Sequence, residues 1–131
     1  MAGSLWLLVL TNLSLSKKDT KRRTGVEGEA RACSMLAKSG YTIRERNFRH
    51  RMSEIDIIAE KENCLIFVEV KTRSSSAFGH PEEFVSRNQQ KKILEAADFY
   101  IEKQDWQGDI RFDIISIIQG QDPVHLKDAF Y

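Results

Sequence analysis

A chain of 131 residues with 41% hydrophobic and 30% charged residues reads as a soluble globular protein with one core and little room for a second. Two cysteines, Cys33 and Cys64, and three scattered histidines, His50, His80 and His125, offer no zinc-ligand spacing and no disulfide framework, so free thiols and surface imidazoles are expected. The net charge of +1 argues neither for nor against a polyanion, but residues 1–51 hold 11 Lys and Arg against 4 Asp and Glu, while residues 52–131 hold 9 against 15. A basic half beside an acidic half fits a polyanion-binding face next to a cation site; solvated faces are the plainer explanation.

The apolar run LWLLVLTNLSL, residues 5–15, is too short for a membrane-spanning helix. No basic residue precedes it and KKDTKRR follows, which is unlike a secretory signal. We read residues 1–20 as a poorly ordered extension and residues 21–131 as one domain, cytoplasmic and without stable membrane association; a weak anchor is the lesser alternative. Residues 25–38 carry a helical pattern, with Val26, Ala30, Cys33 and Ala37 as its stripe, Leu36 beside it and Gly40 as its C-terminal cap. Residues 41–49 alternate as a strand, residues 55–59 and 65–71 form two more, and residues 74–81 form a loop. Ser86 caps a second helix running to about Lys103, with Ile93, Ala97, Tyr100 and Ile101 facing inward. Residues 110–118 give a last strand, and residues 119–131 an irregular or short helical tail. The order helix, three strands, helix, strand predicts an α/β domain with a mixed central sheet, since the last strand needs a helical crossover.

The second and third strands hold the chemistry. If Glu62 and Asn63 form the turn, Ile57 faces Val68, Asp56 faces Glu69 and Glu54 faces Lys71. Ile55, Ile57, Ala59, Ile66, Val68 and Val70 then make one apolar face, and the charged residues gather at the end far from the turn. Without glycine to supply positive φ, Glu62-Asn63 is a weak two-residue turn, and a longer loop is an alternative. Like charges placed opposite each other destabilise a strand pair by up to about 1 kcal/mol. A divalent cation held by the two carboxylates would offset that, with Lys71 on the same face as Glu69 to meet developing charge. Such a group suits metal-assisted attack of water on a phosphodiester. An ordinary salt-bridged sheet end is the competing explanation.

The runs GVEGEARA, SEIDIIA, FVEVKTR, FGHPEEFVS and RFDII, in this order over about residues 25–118, resemble the YraN-like family of small bacterial proteins. That family is assigned to the PD-(D/E)XK nuclease superfamily and is similar to archaeal Holliday-junction resolvases. The resemblance implies a restriction-endonuclease-like core of helix, three strands, helix and strand. It implies Asp56, Glu69 and the Val70 carbonyl as ligands of Mg²⁺ or Mn²⁺, Lys71 as the catalytic lysine, and Glu29 as an acid reaching the site from the first helix. Glu29 shares a helix face with Cys33 and Leu36; a first-turn glutamate favoured by the helix dipole is the alternative. Arg73 and the run Gln89, Gln90, Lys91 and Lys92 fall near the implied groove, or else on a solvated helix face. The sequence departs from the family pattern at Ser53, where members usually have glycine, and at Gln89, where many have lysine. A serine would be strained at Ser53 if that position needs positive φ.

These readings lead to a metal-dependent endonuclease-like protein acting on DNA, with branched DNA and a homodimer suggested through the resolvases, and with no small-molecule cofactor. Arg44, Arg46, Arg49, His50 and Arg51, with the Lys17–Arg23 run, are the expected phosphate contacts. A non-catalytic nucleic-acid-binding or scaffolding module on the same fold is the alternative.

Overall fold

In the computed structural model, residues 16–74 and 85–131 are described, with the backbone alone for residues 18–22. The elements are α1 (Lys17–Lys38), β1 (Thr42–His50), β2 (Ser53–Lys61), β3 (Cys64–Arg73), α2 (Arg87–Gln104), β4 (Asp109–Ile118) and β5 (Val124–Leu126). The expected order is present, with two additions. Helix α1 starts at Lys17, ahead of the apolar pattern, and the tail contributes a short strand where an irregular or helical segment was expected. The apolar run at residues 5–15 and the loop beyond Ser74 lie outside the described residues. None of the described helices is long and apolar enough to cross a membrane.

The sheet order is β1-β2-β3-β4-β5, antiparallel except for the β3–β4 pair, which α2 joins as a parallel crossover. Both faces are covered. Against α2 lie Ile55, Ile58, Leu65, Phe67, Phe112 and Ile114 with Ile93, Ala96, Ala97 and Tyr100. Against α1 lie Ile57, Ala59, Ile66, Val68, Ile115 and Ile117 with Ala32, Leu36 and Tyr41. The inward stripe of α1 differs from the expected one. Ala32 and Leu36 are fully buried, whereas Val26 is 56% exposed and Ala30 and Ala37 face solvent. Alanines mark a stripe weakly. The deciding contact is made by Gly28, where a Cβ would stand 2.4 Å from Thr72 Oγ1, so the bare backbone lets α1 settle on β3.

The capping residues act as their chemistry requires. Gly40, at φ 90°, closes α1 with Tyr41 N–H donating to Leu36 O and Gly40 N–H to Ala37 O. Ser86 Oγ accepts from Gln89 N–H at 3.1 Å and starts α2. The β2–β3 turn is the tight two-residue form after all. Glu62 and Asn63 adopt φ of 51° and 61°, the left-handed pair that matches strand twist. Asp109 N–H donates to Asn63 O, so neighbouring β4 helps hold a turn that glycine would otherwise favour. Ser53 is not among the residues with positive φ; the left-handed position in the β1–β2 turn is Arg51, at 55°. Ser53 is therefore an unstrained, buried start to β2.

Candidate metal centre at the split end of the sheet

The β2–β3 register is the expected one from Lys61–Cys64 to Ile57–Val68, and there the ladder stops. Beyond it β2 remains paired with β1 down to Ser53, and β3 remains paired with β4 up to Arg73. The two strands part, so Asp56 does not face Glu69 as a regular cross-strand pair. Instead the Asp56 carboxylate fills the opening and accepts the Val70 N–H at 2.8 Å, replacing the backbone bond that the ladder gives up. In an extended strand one residue sends its N–H and C=O to the same side. The Val70 carbonyl therefore faces the same gap as Asp56.

A local kink aims Asp56 there. Asn47 lies across from it, between the Arg46–Ile57 and Phe48–Ile55 pairs, and takes a left-handed φ of 52°. Alternation breaks at this level in both strands. Ile57 packs with the α1 core but Ile55 joins Phe48 on the α2 side, contrary to the single apolar face read from strict period two. An irregular residue inside a strand re-aims side chains and increases local twist.

Glu69 and Lys71 project on the α2 side. Lys71 Nζ lies 3.4 Å from Glu69 Oε1, with the two side chains 16% and 9% exposed. Gln89, on the first turn of α2, clamps both: its Nε2 donates to Glu69 Oε1 at 2.8 Å and its Oε1 accepts from Lys71 Nζ at 3.2 Å. Glu29 approaches from α1, hydrogen-bonded to Asn47 and within the fields of Glu54 and Arg46. Its carboxyl pKa is raised, chiefly by burial.

The electrostatics follow from crowding carboxylates in a dry place. Burial first, and the neighbouring Glu69 second, push the Asp56 pKa up to about 8, against the pull of the Val70 N–H. Burial also raises Glu69, although the Lys71 charge and hydrogen bonds from Lys71, Asp56 and Gln89 oppose it. Each carboxylate thus raises the cost of charging the other. Among the described residues, no three or more His, Cys, Asp or Glu side chains form a metal-holding group. The candidate donors are therefore only two carboxylates, Asp56 and Glu69, and the Val70 backbone carbonyl. Those hard oxygens fit Mg²⁺ or Mn²⁺, which keep several waters and need few protein ligands.

The expected phosphate contacts disperse. Arg44 is committed elsewhere: Nη1 donates to Glu60 Oε1 at 2.8 Å, and the guanidinium lies 5.6 Å from both the Tyr100 and Trp106 rings. Arg46 lies toward Glu29 and Cys33 on the α1 side. His50 stacks on Phe99 with ring centroids 3.9 Å apart. Gln90 braces the start of α2 by donating to Val85 O at 2.9 Å. Arg49, Arg51, Lys91 and Lys92 are exposed, with Arg49 Nη2 3.5 Å from Glu54 Oε2. Arg73 lines a cleft of about 350 Å³ beside Thr24, Gly28, Arg31, Thr72 and Gln119, immediately past Lys71. His125 is not a surface imidazole; its side chain is 13% exposed and its Nε2 lies 2.6 Å from the fully buried Asp113. The family resemblance had placed Gln89 near the groove, but neither its clamp on Glu69 and Lys71 nor the Asn47 contact left a local pattern in the sequence.

The fold and the split sheet end define a mixed α/β protein, with a five-stranded sheet and two helices among the described residues, consistent with a restriction-endonuclease-like core. The chain belongs to the uncharacterised protein family UPF0102, the YraN family, whose profile matches residues 28–117. It is 47% identical to a UPF0102 protein of Cytophaga hutchinsonii over 105 residues, covering 80% of this chain and 93% of that one. A UPF0102 protein of Persephonella marina is 47% identical over 107 residues, covering 81% and 91%, and one of Bacteroides thetaiotaomicron is 44% identical over 110 residues, covering 82% and 91%.

Proposed function

We propose that this protein is a divalent-metal-dependent endonuclease that hydrolyses DNA phosphodiesters. The observation that supports the reading is the parting of β2 and β3 around Asp56, with the Glu69 carboxylate, the Val70 backbone and the Lys71 ammonium beside the same gap. Asp56, Glu69 and the Val70 carbonyl would hold Mg²⁺ or Mn²⁺. That ion supplies a more acidic water and neutralises charge on the phosphate. Lys71 then faces the reacting phosphate with its ammonium, meeting the negative charge that grows during attack. Gln89 fixes Lys71 and Glu69 relative to each other, so neither must be reoriented as charge develops. Glu29, steadied by Asn47, adds a further acceptor on the α1 side of the gap. Exposed Arg49, Arg51, Lys91 and Lys92, with Arg73 in its cleft, supply phosphate contacts along the groove.

Cleavage of labelled linear, flapped, single-stranded and four-way DNA, with Mg²⁺, Mn²⁺ or EDTA, tests the reading. Metal-dependent cutting that falls at least about 100-fold in Asp56→Ala and Lys71→Ala is expected. Cutting that survives both substitutions would place the activity elsewhere. Salt-sensitive DNA binding without cutting by the wild type would leave a non-catalytic nucleic-acid-binding module.

A further inference from the structure

A second polar cavity lies at the opposite end of the sheet, on the α1 side. It measures about 140 Å³ and is lined by Tyr41, Lys61, Glu62, Cys64, Arg111 and Lys127. Cys64 opens β3, five residues before Glu69, so the cavity stands roughly 17 Å along the strand from the split end.

Its lining is rich in donors. Arg111 is held rigidly from behind: Nε and Nη2 each donate to Asp113 at 2.8 Å, and Nη2 also donates to Tyr41 Oη at 3.0 Å. Asp113 is fully buried and its oxygens are further engaged by His125 at 2.6 Å and by the Asp128 N–H at 2.9 Å. This leaves the two Nη1 protons of Arg111 without an acceptor among the described residues. Because Tyr41 Oη accepts from Arg111, its own proton is available to donate. Lys61 Nζ uses one proton on Ser39 O at 2.8 Å while lying 5.0 Å from the Tyr41 ring centroid, so two protons remain. Lys127 forms no ion pair among the described residues. Against these donors the lining sets one carboxylate, the exposed Glu62, and the thiol of Cys64. The lining itself sets three cations, Lys61, Arg111 and Lys127, against Glu62; Asp113 behind Arg111 and Asp109 beside Cys64 offset part of that charge from outside the lining.

We propose that this cavity binds a phosphate group, carried either by free inorganic phosphate or by a nucleic-acid backbone. Convergent N–H and O–H donors with a preset guanidinium are what a compact oxyanion requires, and Arg held on its far side by a carboxylate presents its outer edge without reorientation. The site does not depend on whether the split end cleaves DNA.

The test is an amide-resolved NMR titration of the full chain, without divalent metal, using inorganic phosphate in one arm and a short DNA duplex in the other. Shifts centred on Tyr41, Cys64 and Arg111 are expected. Lys127→Glu, and separately Lys61→Gln, should weaken that binding about tenfold, with Lys127→Glu leaving the melting temperature unchanged because Lys127 is exposed. Response to phosphate alone identifies a free oxyanion as ligand; response to DNA at the same amides, with a shallower salt dependence in Lys127→Glu, identifies the backbone. No shift at these amides in either arm, or shifts of equal affinity in both variants and the wild type, overturns the proposal.

Discussion

At the scale of single residues, Asp113 and Asp56 show two outcomes of burying a carboxylate. For Asp56, burial and its acidic neighbour Glu69 outweigh the Val70 N–H and push its pKa up to about 8. Asp113 is fully buried, and burial alone would raise it, but hydrogen bonds from His125, Arg111 and the Asp128 N–H outweigh burial and its pKa ends below the ordinary value. The sign of its contribution follows. A carboxyl with a lower pKa in the folded state stabilises the protein above its unfolded pKa, near 3.9, and that contribution is lost as pH falls through the folded value. The wild type should therefore lose stability more steeply than Asp113→Asn below about pH 4, read as urea midpoints from pH 6 to pH 2.5. Parallel curves would remove Asp113 as the source. A charged residue in the middle of RFDII was visible in the sequence, but its partners were not. Arg111 lies two residues away on the same strand face, whereas His125 arrives on β5, a strand that no periodicity announced.

At the scale of elements, the helix and strand order was legible because each has its own local marker: Ser86 and Gly40 as caps, and apolar-rich runs in β2 to β4. The stripe of α1 was not, because its packing depends on a missing side chain. Gly28 meets Thr72 where a methyl group would collide. Gly28→Ala should lower stability by about 1–3 kcal/mol through overpacking. Thr72→Ala, which removes the colliding oxygen, should restore most of that loss in the double variant, since alanine itself favours the helix. Thermal unfolding of the two singles and the double measures this coupling; additive losses would mean that the two residues do not meet. The split of β2 from β3 was legible only in outline. The register and the charged end followed from period two, but the kink at Asn47 did not, because a left-handed asparagine inside a strand leaves no trace in apolar spacing. Strict alternation therefore placed Ile55 on the wrong face and paired Asp56 directly with Glu69.

At the scale of the whole molecule, cations are distributed by what already engages them. Arg44 belongs to the acidic and aromatic groups around Glu60, Tyr100 and Trp106, although it shares a strand with Arg46 and Arg49. Arg51 stands exposed at the β1–β2 turn, on the same side as the split end. If DNA lies along this end, Arg51→Ala should lower affinity at every sequence and reduce the slope of log affinity against log salt by about 1. Arg44→Ala should change stability and leave that slope alone. Fluorescence anisotropy over a salt series separates them, and equal slopes in Arg51→Ala and the wild type would move the groove elsewhere. The net basic half of the sequence thus foreshadowed available charge but not its placement, which only the packing of α2 over β1 decides.

The central claim is that the parted strands form a divalent-cation site, and Mn²⁺ binding measured by calorimetry and electron paramagnetic resonance tests it most directly. The wild type should bind Mn²⁺ at a site that Asp56→Ala abolishes and Glu69→Gln weakens at least about tenfold, while Asp98→Ala, an exposed acidic control on α2, leaves it intact. A wild type that does not bind Mn²⁺, or binding retained in full by both Asp56→Ala and Glu69→Gln, would contradict it and leave the two carboxylates as part of an ordinary salt-bridged sheet end.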